Sequence, residues 1–216
     1  MILEDMARQD LESLIDESKD TLAVPGLLQL PPERQRNSVR HWLKRKSGTT
    51  PSEAVLARIV NDILGGRPDA ESCVRWGGCE LRRYRDRLYL LPQVPRQETS
   101  ALLEWRPETA LELPQTGGVL SACCRTGGGV RAAAFAGAEV RVTWRRGGER
   151  CRPAGRRHHH ALKKLFQESG IPPWERGRIP LVYIGDELAA VADLWVCDPF
   201  SAGPGEAGFS IRWNRG

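Results

Sequence analysis

The 216-residue sequence has no apolar run approaching the ~20 residues that a membrane-spanning helix needs, so a helical membrane protein is excluded. It also lacks a recognisable targeting segment. The first twenty residues, MILEDMARQDLESLIDESKD, are acidic and amphipathic, unlike a signal or transit peptide, and point to the cytoplasm. No Walker phosphate loop and no dinucleotide fingerprint is present. The triple glycine Gly127–Gly129 is not followed by Lys-Ser/Thr and leads into RAAAFAG rather than a capped helix. The six cysteines lack metal-ligand spacing: five residues separate Cys73 from Cys79, and Cys123 and Cys124 are adjacent. Without a secretory signal a disulfide framework is not expected, and all six read as reduced, small hydrophobic residues. His158, His159 and His160 are consecutive, so on a helix they point to different sides instead of sharing a metal at i and i+4. Asp186 and Glu187 suit a turn, and no nucleophile has an obvious histidine partner. The reading therefore assigns no catalytic residue and no metal ligand.

What is present is a soluble composition, 40% hydrophobic and 27% charged, long enough for one domain or two small ones. Charge is unevenly spread. Between Arg141 and Arg178 stand eleven Lys/Arg against Glu149, Glu168 and Glu175, a local excess of eight, larger than the formal +5 of the whole chain. Such a concentration suits a polyanion, most simply nucleic acid. An arginine-rich face set by codon usage is the competing reading.

Taken in order, apolar residues at Leu3, Met6, Ala7, Leu11, Leu14 and Ile15 give a helical stripe over 3–15. Pro31 and Pro32 open a second helix, with Val39, Trp42 and Leu43 inward and Arg34, Arg36, Arg40, Lys44, Arg45 and Lys46 elsewhere on it. In SGTTPSEAVLARIVNDILGG, Thr50 is the expected N-cap, Pro51 the first helical residue and Glu53 the partner in a capping box. Leu56, Ile59, Val60, Ile63 and Leu64 form its buried stripe, giving a helical hairpin rather than a helix-turn-helix. From Cys73 the period becomes two, and strands are expected at Cys73–Trp76, Glu80–Tyr84 and Leu88–Leu91, with turns at Gly77–Gly78 and Arg85–Asp86. Residues 92–100 read as a linker. Strands are expected near Leu102–Trp105, Ala110–Leu113, Val119–Cys124 and Val140–Arg146, then a helix over Arg156–Glu168 with Leu162, Leu165 and Phe166 inward and Lys163 and Lys164 outward. A hairpin, Ile179–Ile184 with Leu188–Val196, and a last strand at Phe209–Trp213 complete the chain. The fold class is α+β: a small helical domain with a β-meander (1–96), then a mixed α/β C-terminal domain (97–216).

Two stretches carry a family likeness. GGER, a basic segment, and then LKKLFQESGIPPWERGRIPLVYIGDELAAV resemble the C-terminal domain of bacterial tRNA(Ile)-lysidine synthases, best over 138–196. RQRNSVRHWL, a helix opened by Pro-Ser, and RWGGCELRRYRDRLYLL resemble the middle, substrate-recognition domain of the same family. The resemblance implies a ligase that uses ATP and Mg to join L-lysine to the wobble cytidine of the CAU-anticodon isoleucine tRNA. It places the catalytic machinery in an N-terminal α/β domain with a Ser-Gly-Gly-x-Asp-Ser loop. That loop is absent here, and Met1 falls where the family's middle domain begins. The chain is thus expected to bind tRNA without catalysing the reaction and to hold no cofactor of its own.

By the same resemblance, the C-terminal domain grips the acceptor end while the middle domain helps present the anticodon. The residues assigned to phosphate are Arg145, Arg146, Arg152, Arg156, Arg157, Lys163 and Lys164, followed by Arg176 and Arg178, for which bracing of loop carbonyls is the alternative. Trp174 is read as core before it is read as a stacking platform. No membrane partner is expected, and both a monomer and a homodimer are compatible with the sequence. The rival functions are a stand-alone, non-enzymatic RNA- or DNA-binding module, and a structural scaffold for which the basic stretch is incidental.

Overall fold

The computed structural model describes residues 2–16, 20–66, 72–93, 101–114 and 116–215. Two compact units divide the chain, Met1–Pro95 and Arg96–Gly216. The expected linker at 92–100 falls mostly on residues 94–100, outside the described residues; Pro92 itself ends a strand.

In the first unit, α1 (Ile2–Glu12) is followed by the short strands β1 (Ile15–Asp16) and β2 (Thr21–Ala23), and by α2 (Val24–Leu28). The helix α3 (Pro32–Ser47) starts at the expected proline pair and ends at Gly48, whose φ of 68° is the left-handed geometry that favours glycine. Val39, Trp42 and Leu43 are buried as the periodicity requires. The next helix, α4 (Glu53–Arg58), begins two residues later than expected. Ser52, not Thr50, is the N-cap, its hydroxyl accepting from the Val55 N–H at 3.4 Å. No capping box forms: with Ser52 as N-cap the N3 position is Val55, and Glu53, now the first helical residue, pairs with Arg40. From Ile59 to Leu64 the helix widens into a π-helix, closed by Gly65 N–H donating to the Val60 carbonyl at 3.0 Å.

The meander forms as β3 (Cys73–Trp76), β4 (Cys79–Tyr84) and β5 (Arg87–Pro92), with Gly77 and Gly78 both at positive φ in the tight turn. It is part of a larger sheet than the three strands expected. β2 pairs with β5 and β1 with β2, giving the order β1-β2-β5-β4-β3. Leu22, Leu81 and Leu88 from the sheet join Leu27, Trp42, Leu56 and Ile63 from the helices in one core. The buried Arg83 closes the π-helix: its guanidinium Nη1 donates to the carbonyls of Leu64 (3.1 Å), Ile63 (3.3 Å) and Gly66 (3.3 Å). Carbonyls at a helix end have no donor within the helix, and here a sheet residue supplies one.

The second unit is predominantly antiparallel sheet. Its strands are β6 (Leu103–Glu104), β7 (Leu111–Leu113), β8 (Gly118–Thr126) and β9 (Val130–Arg131). There follow β10 (Val140–Thr143), and the two-residue β11 (Arg150–Cys151) and β12 (His160–Ala161). The helices α5 (Leu162–Glu168) and α6 (Pro173–Arg176) precede β13 (Leu181–Ile184), β14 (Glu187–Val191), β15 (Trp195–Val196) and β16 (Ala207–Asn214). One sheet runs β15-β14-β13-β10-β6 and another β7-β8-β16-β9. The single strand expected over Leu188–Val196 is thus two, because the chain turns at 192–194 and folds β15 back on β14.

Alternation along β13 explains the layering. Val182 and Ile184 join Val142, Trp144, Leu120 and Ile211 in a core between the two sheets. Leu181 belongs instead to a core on the other face, with Leu162, Leu165 and Phe166 of α5. Both faces of this sheet are therefore covered. Gly129 is required where β9 meets β16: its φ is 77°, and a Cβ there would collide with the Phe209 carbonyl.

Two expectations about this unit are corrected. The helix expected over Arg156–Glu168 contains only Leu162–Glu168; the histidine run leads into β12 and is not helical. Cys151 and Cys197 are not reduced: they form a disulfide, with Cα atoms 5.9 Å apart.

Candidate nucleic-acid interface

The basic stretch folds as a turn, a hairpin and a helix start. The turn follows β10. Gly147 and Gly148 adopt φ of 105° and 91°, which excludes most side chains, and the Glu149 carboxylate ties the turn from inside. Its Oε1 accepts from the N–H groups of Arg146 (2.5 Å) and Gly147 (2.7 Å), and its Oε2 lies 3.5 Å from the Arg145 guanidinium.

The hairpin is the β11–β12 pair, Arg150 opposite Ala161 and Cys151 opposite His160. Its loop carries Arg152, Arg156, Arg157, His158 and His159. Several bonds fasten the base of the loop to the main sheet: the Cys151–Cys197 disulfide, the Pro153–Cys197 bridge, Ala154 N–H to Val196 carbonyl (2.9 Å) and Asp198 N–H to Arg152 carbonyl (2.8 Å). These contacts explain why a segment with helix-compatible side chains is not helical. The helix α5 then buries Leu162, Leu165 and Phe166 and leaves Lys163 and Lys164 exposed.

The nine residues assigned to RNA fall into three groups. Arg157, Lys163 and Lys164 are exposed and have no hydrogen-bond or ion-pair partner among the described residues; Arg146 is exposed at the turn and does have an interaction partner. Arg156 donates to the Glu168 carboxylate at 3.0 Å, whereas Arg145 and Arg152 lie beside carboxylates without hydrogen-bonding them through Nε, Glu149 at 3.5 Å and Asp198 at 3.8 Å. The Arg156 hydrogen bond holds the Glu168 carboxyl below its ordinary range, and the charges of Arg156, Lys164 and His160 act in the same direction. Arg176 and Arg178 brace the fold. Arg176 is 6% exposed and donates to the Ile171 carbonyl at 2.8 Å; Arg178 donates to the Thr116 carbonyl at 3.3 Å. Trp174 is half-buried.

Residue reasoning overlooked Arg150, exposed on β11 and donating to the His159 carbonyl at 3.3 Å, and it gave Glu149 no role. The Gly-Gly-Glu-Arg spacing was the available signal for both.

Among the described residues of the first unit, many cations pair with acids of the same unit. Arg34 pairs with Asp10, Arg40 with Glu53, Lys46 with Asp20 and Lys44 with Glu4 (3.9 Å). On the meander, Arg82 (2.7 Å) and Arg75 (3.2 Å) share Glu80, and Arg87 meets Asp16 at 3.1 Å. Burial pushes the Glu80 carboxyl up, but the hydrogen bonds from Arg82 and Arg75 outweigh it and leave the group below the usual range.

No group of three or more His, Cys, Asp or Glu side chains is placed to hold a metal ion among the described residues. No described helix is long and apolar enough to cross a membrane.

Comparison with known proteins gives two family matches. The TilS substrate binding domain matches residues 22–89, and the TilS substrate C-terminal domain matches residues 140–213. The chain is 36% identical over 212 residues to the tRNA(Ile)-lysidine synthase of Coxiella burnetii, covering 98% of this chain and 46% of that protein. It is 38% identical over 185 residues to the enzyme of the same name from Alkalilimnicola ehrlichii (85% and 41%), and 34% identical over 214 residues to that of Edwardsiella ictaluri (99% and 48%). A solved structure described as a TILS C-terminal domain covers 53% of this chain and 96% of its own, at 23% identity and a TM-score of 0.41. The chain spans a little under half the length of the curated relatives it matches. The two family matches, with similarity to these relatives along most or all of this chain, place the chain in the tRNA(Ile)-lysidine synthase family.

Proposed function

We propose that this chain is the tRNA-recognition portion of a tRNA(Ile)-lysidine synthase, acting in the cytoplasm. The observation that carries the reading is the row of exposed cations on the turn, hairpin and α5 of the second unit, inside the stretch that matches the family's C-terminal domain. Arg146, Arg157, Lys163 and Lys164 meet phosphate directly. Arg145, Arg152 and Arg156 add positive potential from beside their carboxylates, and Glu168 fixes Arg156 by a hydrogen bond. Such contacts set register on the RNA and carry no base identity by themselves. The RNA is the isoleucine tRNA with a CAU anticodon, and the complete enzyme joins L-lysine to its wobble cytidine. ATP and Mg would serve that reaction in the family's N-terminal domain.

The test is binding to this tRNA across a salt series, with elongator methionine tRNA as competitor. Log affinity falls linearly with log salt, by roughly 0.7–0.9 per neutralised phosphate, with a slope of several contacts. Preference for the isoleucine tRNA supports recognition by this portion. A steep slope without preference reduces the reading to general RNA binding, and no binding at low salt refutes it.

A further inference from the structure

Glu149 is an acid in the middle of the basic stretch, and electrostatics alone would count it against RNA binding. The geometry gives it the opposite effect. Its side chain gathers the Arg145–Gly148 turn, through the N–H groups of Arg146 and Gly147 on Oε1 and the Arg145 guanidinium 3.5 Å from Oε2. Its backbone carbonyl accepts from the Leu162 N–H at 2.9 Å, one rung beyond the Arg150–Ala161 pair, where α5 begins. One residue thus joins the turn that displays Arg146 to the hairpin neck and to the helix start that displays Lys163 and Lys164.

The side chain is withdrawn from solvent, only 10% exposed, so its charge is spent on the turn and not presented to a ligand. Gly147 and Gly148 need this tie. Both sit at positive φ, no heavy atom lies within 4 Å of where a Cβ would be, and a Gly-Gly turn has the most backbone freedom to lose on ordering.

We propose that Glu149 is a positioning residue of the RNA-binding surface, fixing the 145–148 turn against the β11–β12 neck so that Arg146 and the lysines of α5 meet the phosphate backbone together. This rests on the RNA-binding reading above. A cation on an untied turn loses ordering entropy on binding, whereas one already fixed relative to the lysines of α5 does not.

Glu149→Ala removes one negative charge from a basic face, so a purely electrostatic view predicts tighter RNA binding. Positioning predicts the reverse: tRNA affinity of the full chain falls roughly three- to tenfold, the scale of one or two phosphate contacts. Glu149→Gln keeps an acceptor oxygen for the two N–H groups while removing the charge, and its affinity equals or exceeds that of the parent. An E149A affinity at or above the parent's overturns the proposal, as does an equal loss in E149A and E149Q. Should E149A lose its cooperative melt, hydrogen exchange in the parent decides. Protection of the Arg146 and Gly147 amides, lowered in E149Q by less than in a Gly147→Ala variant, supports the tie; amides exchanging at unstructured rates overturn it. Failure of the parent to bind tRNA refutes the RNA reading instead, and the exchange measurement still reports on the turn.

Discussion

Arg156 donates to the Glu168 carboxylate at 3.0 Å, linking the tip of the basic loop to the last residue of α5 twelve positions away. The pair is exposed, so it adds little to stability. Its effect is on charge: a cation assigned to RNA faces a carboxylate in the free protein.

Replacing Glu168 by Gln releases Arg156 and removes a negative charge beside Lys164. Affinity for tRNA is expected to rise about two- to fivefold at low salt, with the gain fading as salt increases. Filter or fluorescence binding at two salt concentrations checks it.

The lysines of α5 and the arginine of α6 are expected to separate cleanly. Lys163→Ala with Lys164→Ala lowers affinity and reduces the salt slope by about one to two contacts while leaving the melting temperature nearly unchanged. Arg176→Ala leaves the Ile171 carbonyl without its donor inside the protein and costs about 1–3 kcal/mol of stability, with no change in slope among the molecules that remain folded. Thermal melts alongside salt titrations distinguish the two.

Arg83→Met keeps much of the buried volume but withdraws the donor from the Ile63, Leu64 and Gly66 carbonyls. The first unit should lose about 1–3 kcal/mol in denaturant unfolding. The π-helix end is the site of the damage, and amide exchange there should rise first.

Glu80 supplies a pH dependence with a definite sign. Its folded-state carboxyl lies below the ordinary value because Arg82 and Arg75 hydrogen-bond its charged form in spite of burial. Its stabilising contribution is therefore present above the ordinary carboxylate range near ~4.3 and is lost as pH falls through the lower, folded value. Melting temperature against pH should drop on the acid side, and Glu80→Gln should flatten that part of the curve.

The legible parts of this chain are those where periodicity and turn chemistry agree. The β3–β5 meander was readable because alternation is bounded by Gly77–Gly78 and Arg85–Asp86, and α3 because Pro31–Pro32 precede a Val39/Trp42/Leu43 stripe. The inward face of α5 was readable for the same reason. Its start was not. Arg156–His159 has no local breaker, and what keeps it out of the helix is the ladder at His160 and the attachment of Cys151 and Pro153 to Cys197, 46 residues beyond Cys151. Contacts of that separation leave no mark on local pattern. Strands as short as β1 and β2 have no period to detect. The sorting of the basic residues was equally out of reach, because Arg176 and Lys163 look alike as charges and differ only in burial.

The most direct test of the central claim is amine-reactivity footprinting of the lysines with and without isoleucine tRNA. Lys163 and Lys164, exposed and without partners among the described residues, should be protected several-fold on binding, while Lys44, beside Glu4 in the first unit, changes less. Unchanged reactivity of Lys163 and Lys164 in a saturated complex would contradict the assignment of this surface to RNA.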